Sequence, residues 1–193
     1  MPAPGRALLI AILALASCAS PPPAPTYPDI RFTDRPPLKL DVAAIEVRQD
    51  YQMPFKAPNV EHLFPVPPSR ALENWAHDRL KAAGHAGRAI FTIRVASVTE
   101  TDLPVQQGIT GLFTTQPSER YDLTMTARLT INENGLDVRS ANVTTTRSQS
   151  LLQNITPNQR DQAWYDMTKA AMADFDKQME SEIRNTFGDY LMP

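Results

Sequence analysis

The stretch Glu119–Asn132 constrains the fold more than any other part of the chain. Tyr121, Leu123, Met125, Ala127, Leu129 and Ile131 occupy every second position, against Arg120, Asp122, Thr124, Thr126, Arg128 and Thr130. Side chains of a strand point alternately to opposite faces, so this pattern requires a sheet with one buried and one wet face, the usual antiparallel case. Asn134-Gly135 follows at once, a pair suited to the positive φ angles of a two-residue hairpin turn. Leu136–Ser150 therefore returns as the partner strand, threonine-rich and irregular in phase near Ser140-Ala141.

The other elements follow from periodicity. Leu38, Leu40 and Val42 alternate with polar residues, and Ile45 and Val47 continue in the opposite phase, which predicts one strand with a bulge at Ala43-Ala44. Tyr51–Pro68 carries Pro54, Pro58, Pro65, Pro67 and Pro68 and cannot be regular. Its Met53, Phe55, Val60, Leu63, Phe64 and Val66 predict a loop packed against the fold. Ser69–Ala83 reads as an amphipathic helix with Leu72, Trp75, Ala76, Leu80 and Ala83 on one face and Gly84 as its stop. Ala89–Thr99 reads as a strand with Phe91, Ile93 and Val95 on one side. From Pro157 to Tyr190 runs a long helix, with Thr156 and Gln159 as a capping box and Pro157 in the first helical position. Its stripe is Trp164, Met167, Ala171, Phe175, Met179, Ile183 and Phe187. At 1.5 Å per residue this helix is about 50 Å long, enough to cross four strands. The order β-α-β-β-β-α predicts an α+β fold: an antiparallel or mixed sheet of about four strands, with two helices packed on one face.

The N-terminus carries a different kind of information. Arg6 precedes an apolar run, Ala7–Ala16, that is too short to span a bilayer as a helix. The run closes on Leu15-Ala16-Ser17-Cys18, which resembles a bacterial lipoprotein signal and holds the only cysteine in the chain. That resemblance implies removal of residues 1–17, diacylation and N-acylation of Cys18, and residence at a membrane surface outside the cytoplasm. Three acyl chains would hold the protein stably, where one gives only marginal binding. A cysteine so used leaves no disulfide, and stability must come from an ordinary core. Ala19 follows the cysteine; in lipoproteins that resemble this one, an aspartate there often signals inner-membrane retention. The expected location is the periplasmic face of the outer membrane, with the inner membrane as the alternative. Ala19–Pro37 contains Pro21, Pro22, Pro23, Pro25, Pro28, Pro36 and Pro37 and should be extended. At ~3.1 Å per residue it is either a spacer of up to about 55 Å or a leader with no length requirement. The expected organisation is a signal peptide at 1–17, an acylated cysteine and spacer at 18–37, and a single domain at 38–193.

A search for chemistry yields little. His62, His77 and His85 have no zinc-ligand spacing and no second cysteine to help them. His77 and Asp78 are neighbours on a helix, so their side chains diverge by ~100°. The pairs Glu100/Asp102 and Asp174/Asp176 border a loop and lie on a helix's polar face. No Gly-x-Ser-x-Gly elbow occurs. No catalytic residue, metal or cofactor is expected. A formal charge of −2 without a basic stripe argues against a nucleic-acid partner.

One connection stands apart. Leu103–Pro117 is far longer than a hairpin turn of two to five residues, and no charge occurs from Leu103 to Ser118. Leu103, Val105, Ile109, Leu112 and Phe113 surround Gly108 and Gly111. The segment either folds back as a lid on the sheet or forms a tip that enters a partner protein, a lipid or a membrane interface. Those five apolar residues are the candidate partner-binding set.

The lipoprotein-like signal and proline-rich leader occur with the helix Ser69–Ala83, the strand pair from Arg120-Tyr121-Asp122 to Ile131 and Leu136–Ser150, and the helix from Pro157. In this layout the chain resembles envelope auxiliary lipoproteins. One such group assists ABC-type lipid or solvent transport; the related group plugs the outer-membrane barrel that assembles lipopolysaccharide. The resemblance implies a membrane-anchored, non-enzymatic periplasmic accessory subunit of an envelope transport or assembly complex, docking through its loop or sheet edge. It transfers no functional residue, and the Tyr51–Pro68 loop departs from the pattern. The alternative is a lipid- or amphiphile-binding module with a pocket between sheet and helices, lined by Met125, Met167, Met172, Met179 and Phe175.

Overall fold

The hairpin organises the sheet. In the computed structural model, which describes residues 26–104 and 116–193, β5 (Pro117–Glu133) and β6 (Leu136–Leu152) pair antiparallel from Glu133↔Leu136 to Pro117↔Leu152. Asn134 at φ 50° and Gly135 at φ 85° make the turn. β4 (Arg88–Asp102) lies antiparallel on the other side of β5, and β2 (Ala44–Gln49) runs parallel to β4. The sheet is thus mixed and four-stranded, in the order β2-β4-β5-β6. Helices α1 (Pro68–Arg79) and α2 (Pro157–Thr186) cover one face. This is an α+β fold, with both helices on one side of the sheet.

The core lies between helices and sheet. Trp75 of α1 sits 5.4 Å from the Phe91 ring of β4 and meets Phe175 of α2 edge-on at 5.3 Å. Around them are buried the alternating residues of β5, together with Ala141, Val143 and Leu151 of β6. The capping box of α2 is present: Gln159 N–H donates to Thr156 Oγ1 at 3.3 Å, and Thr156 N–H donates to Gln159 Oε1 at 3.0 Å.

Several elements differ from the periodicity reading, each for a physical reason. The expected single strand over Leu38–Val47 is two strands. β1 (Leu38–Leu40) pairs in parallel with β3 (Leu80–Ala82) in a separate two-stranded sheet, and β2 joins the main one. The phase change at Ala43-Ala44 marks a step between sheets, with no bulge. α1 stops at Arg79, and Leu80 faces the core from a strand. Gly84 is consequently not the helix stop. A Cβ there would lie 2.6 Å from the carbonyl carbon of Asp41 and 2.7 Å from Val42 N, so glycine permits the close approach of two backbones. In β4 a register shift between Ile93 and Val95 turns Val95 outward and brings Ala96 and Val98 into the core. α2 ends at Thr186, and a short 3₁₀ turn, Gly188–Tyr190, leads Leu191 and Met192 back onto β1. There Met192 N–H donates to Lys39 O at 3.0 Å and Leu191 bridges Leu40.

The loop before α1 is packed, as its apolar content requires. Val60, Phe64 and Val66 are buried, and the buried Glu61 carboxylate accepts from Tyr51 Oη, from Asn59 Nδ2 at 3.3 Å and from Val98 N–H at 3.0 Å. Phe55 and Leu63 remain exposed.

The segment ahead of β1 is also part of the fold. Ile30 and Phe32 are buried; Phe32 N–H donates to Asp78 at 2.8 Å, and Arg31 forks onto the same carboxylate. Arg35 pairs with Asp176 of α2, and the Pro36 carbonyl accepts from Arg79. The expected spacer over Ala19–Pro37 is therefore shorter, because from Ile30 onward it is a strap across both helices.

Phe32→Ala should lower stability by about 3 kcal/mol in urea unfolding, the usual loss for an aromatic ring taken from a core. A change below about 0.5 kcal/mol would place the strap outside the cooperative unit.

Candidate functional site

The face of the sheet turned away from the helices gathers arginine. Three strands contribute outward residues at one level: Arg48 of β2 pairs with Thr92 of β4, and Thr92 pairs with Arg128 of β5. Arg94, two residues beyond Thr92 on β4, shares its face and lies beside them. Together with Arg88 these residues line a concavity of about 360 Å³. Ile90 and Thr130 also line it; although they lie on the open face, they are only 8% and 7% exposed.

The charges are unevenly matched. Glu46 accepts from Arg48 Nε at 2.6 Å and lies 3.8 Å from Arg88. The Arg48 hydrogen bond holds the Glu46 carboxyl below the ordinary carboxylate range. Asp137, on the rim, accepts from Asn132 at 2.9 Å, and Asp50 lies on the rim beside Arg48. Arg94 and Arg128 make no ion pair or hydrogen bond among the described residues.

The second candidate region is the end of the sheet from which the long connection departs. Cys18, Val105, Ile109, Leu112 and Phe113 lie outside the described residues. Leu103 is described and half-buried, with its N–H donating to Ser118 O at 2.8 Å. Gln153 N–H donates to Gln116 O at 3.0 Å, so both feet of the connection are fixed to backbone. Beside them Tyr121 Oη donates to Glu119 at 2.7 Å and Glu100 at 3.1 Å, while Arg160 donates to Glu119 at 2.9 Å. Trp164 stacks on Phe64 at 4.8 Å, and Arg160 lies 5.9 Å from the Trp164 ring centre. A groove of about 450 Å³ runs between the end of β6 and the start of α2, past Leu151, Leu152, Ile155 and Ala163. Leu152 is 48% exposed there.

Several other residues singled out from the sequence have structural partners. Asp176 is buried against Trp75, Arg35 and Arg79, and Asp174 pairs with Arg147 at 2.6 Å. His77 lies 3.9 Å from Glu73, and His62 packs its ring 5.5 Å from Phe55. Among the described residues no group of three His, Cys, Asp or Glu is placed to hold a metal. Met125, Met167, Met172, Met179 and Phe175 are all buried in the common core, and the concavities described above are lined by other residues. No described helix is long and apolar enough to cross a membrane.

The arginine site was not legible in the sequence. Arg48, Arg94 and Arg128 are far apart in the chain, and only strand register brings them together. The available signals were local: each arginine falls opposite the apolar positions of its own strand, Ile45 and Val47, Phe91 and Ile93, or Ala127 and Leu129.

No family model matches the chain, and no curated protein matches it in sequence. Among solved structures it is similar to the rare lipoprotein B of Shewanella oneidensis, at 12% identity over 74% of this chain and 97% of that one, with a TM-score of 0.42. It is similar to a lipoprotein B of Nitrosomonas europaea at 14% identity, covering 78% and 90%, with a TM-score of 0.42. A minor lipoprotein of Acinetobacter baumannii overlaps at 11% identity, covering 80% and 98%, with a TM-score of 0.38. At these values the likeness carries no inference about this chain.

Burial and hydrogen bonding to carboxylates push the hydroxyls of Tyr51 and Tyr121 well above the ordinary tyrosine range. Both shifts are upward, so their stabilising effect is complete below the unfolded tyrosine pKa of about 10 and is lost as pH rises beyond it. Tyr121→Phe should flatten the alkaline fall of stability, followed by urea unfolding at a series of pH values. An unchanged alkaline limb would contradict this assignment.

Proposed function

We propose that the chain is a lipid-anchored, non-enzymatic accessory lipoprotein of an envelope transport or assembly complex, acylated at Cys18 and facing the periplasm. The observation that carries this reading is the run Leu15-Ala16-Ser17-Cys18, with the single cysteine at its end, ahead of a strapped α+β domain. Outer-membrane residence rests on Ala19 in the position after the cysteine. Eleven residues separate Cys18 from Ile30, where the strap begins, and at ~3.5 Å per residue they span at most about 40 Å.

Several observations support a docking role over a catalytic one. Glu119 is bound to Tyr121 and Arg160, Asp174 to Arg147, and Asp176 to Trp75, Arg35 and Arg79. The uncharged 103–117 connection rises from the end of the sheet that also carries the groove past Leu152 and Ile155. The partner surface is assigned to this end, with Leu103, Val105, Ile109, Leu112 and Phe113 as the contacting set.

Affinity capture of the tagged full chain from detergent-solubilised membranes of its own organism tests the reading. Recovery of a transporter or outer-membrane barrel component, lost when Leu112 and Phe113 are both changed to Ser, is the expected result. Cys18→Ser should leave an uncleaved precursor without acyl chains, read by mass spectrometry. Recovery of lipid alone, unaffected by the loop changes, would overturn the docking role in favour of a lipid carrier. A cleaved, unacylated Cys18 in the native chain would overturn the anchor.

A further inference from the structure

We infer that the arginine-lined concavity on the open face of the sheet is a binding site for a phosphate group. Its geometry is built from secondary structure: Arg48 and Arg128 flank Thr92 on neighbouring strands, and Arg94, two residues along β4 from Thr92, presents its side chain on the same face. Adjacent strands lie ~4.8 Å apart, so Arg48 and Arg128 spring from backbone positions about 10 Å apart, a span that long guanidinium side chains close readily. Three like charges drawn together repel one another unless an anion joins them.

The acidic neighbours do not fill that role. Glu46 is bound to Arg48 and sits near Arg88, and the charges of Asp50 and Asp137 act on Arg48. Arg94 and Arg128 stay without partners among the described residues. Each guanidinium presents a rigid fork of donors that matches phosphate oxygens two at a time, which lysine cannot do. The hydroxyls of Thr92 and Thr130 add neutral donors, and Ile90, only 8% exposed, lowers the water content of the floor. At about 360 Å³ the concavity takes a headgroup or a small phosphate ester, with no apolar trough for an acyl chain.

The source of the phosphate is either a phospholipid headgroup, which is a diester, or a free phosphate. Calorimetric titration of the full chain in a non-ionic detergent separates them, using inorganic phosphate in one arm and glycerophosphoglycerol in the other. The expected result is saturable binding of at least one probe, weakened about tenfold by Arg94→Gln and again by Arg128→Gln, and weakened by added salt. Arg70→Gln, on the helical side and paired with Asp29, should leave it unchanged. Preference for the diester assigns the headgroup, and preference for inorganic phosphate assigns the free ion. Absence of saturable binding by both probes, or binding that survives both substitutions in chains of unaltered melting temperature, would overturn the inference.

Discussion

The carboxylate of Asp176 is the point on which the helical side of the molecule depends. It is fully buried on α2, and its Oδ1 accepts from Trp75 Nε1 at 2.8 Å and from Arg79 Nε at 2.9 Å, both on α1. Its Oδ2 accepts from Arg35 on the strap. Arg79, equally buried, completes its fork with Glu180 and the Pro36 carbonyl. A buried charge left alone is strongly destabilising, but here two arginines face two carboxylates and the donors around them are used. The network sets how far α1 slides along α2 and closes the strap over both.

That arrangement divides the molecule into two sides with different work. On the helical side the rings of Trp75, Phe91 and Phe175 pack in mutual contact, and the methionines of the stripe fill the remaining space as core. On the far side no described helix covers the sheet, its threonines and arginines face water, and the concavity around Thr92 holds two cations without partners among the described residues. Arg94 lies two residues beyond Thr92 in the regular alternation and so shares its open face, beside Arg48 and Arg128 on the neighbouring strands. The slip that follows, between Ile93 and Val95, changes which later β4 residues face the core and brings in Ala96 and Val98.

Much of the fold was legible because long periodic segments leave few alternatives. The β5 alternation, the Asn134-Gly135 turn and the α2 stripe each specify an element, and one wet sheet face puts both helices on the other. Short elements were not legible. β1 and β3 have three residues each, and Leu80 fits the helical face of α1 as well as it fits a strand. Val95 kept the phase of Phe91 and Ile93, and nothing local announces that Arg94 is an extra residue. The strap was hidden by its prolines, which signal an extended chain but not whether it is packed. Ile30 and Phe32 were the available hint. Of the proposed contact surface, apolar composition was visible at Leu103 and Leu112, whereas the arginine site exists only in the register of three strands.

The most direct test of this account is a double-mutant cycle between α1 and α2, using Arg79→Met, Asp176→Leu and the two together, each read by urea unfolding. Either single change removes one member of a buried charge network, leaving Asp176 with Arg35 and Trp75 or Arg79 with Glu180 and the Pro36 carbonyl, and should cost about 3 kcal/mol, while the double change, which removes both fully buried charges, should cost less than the sum. Additive effects of about 1 kcal/mol or less for each change would contradict it, and would leave the helices held by apolar packing alone.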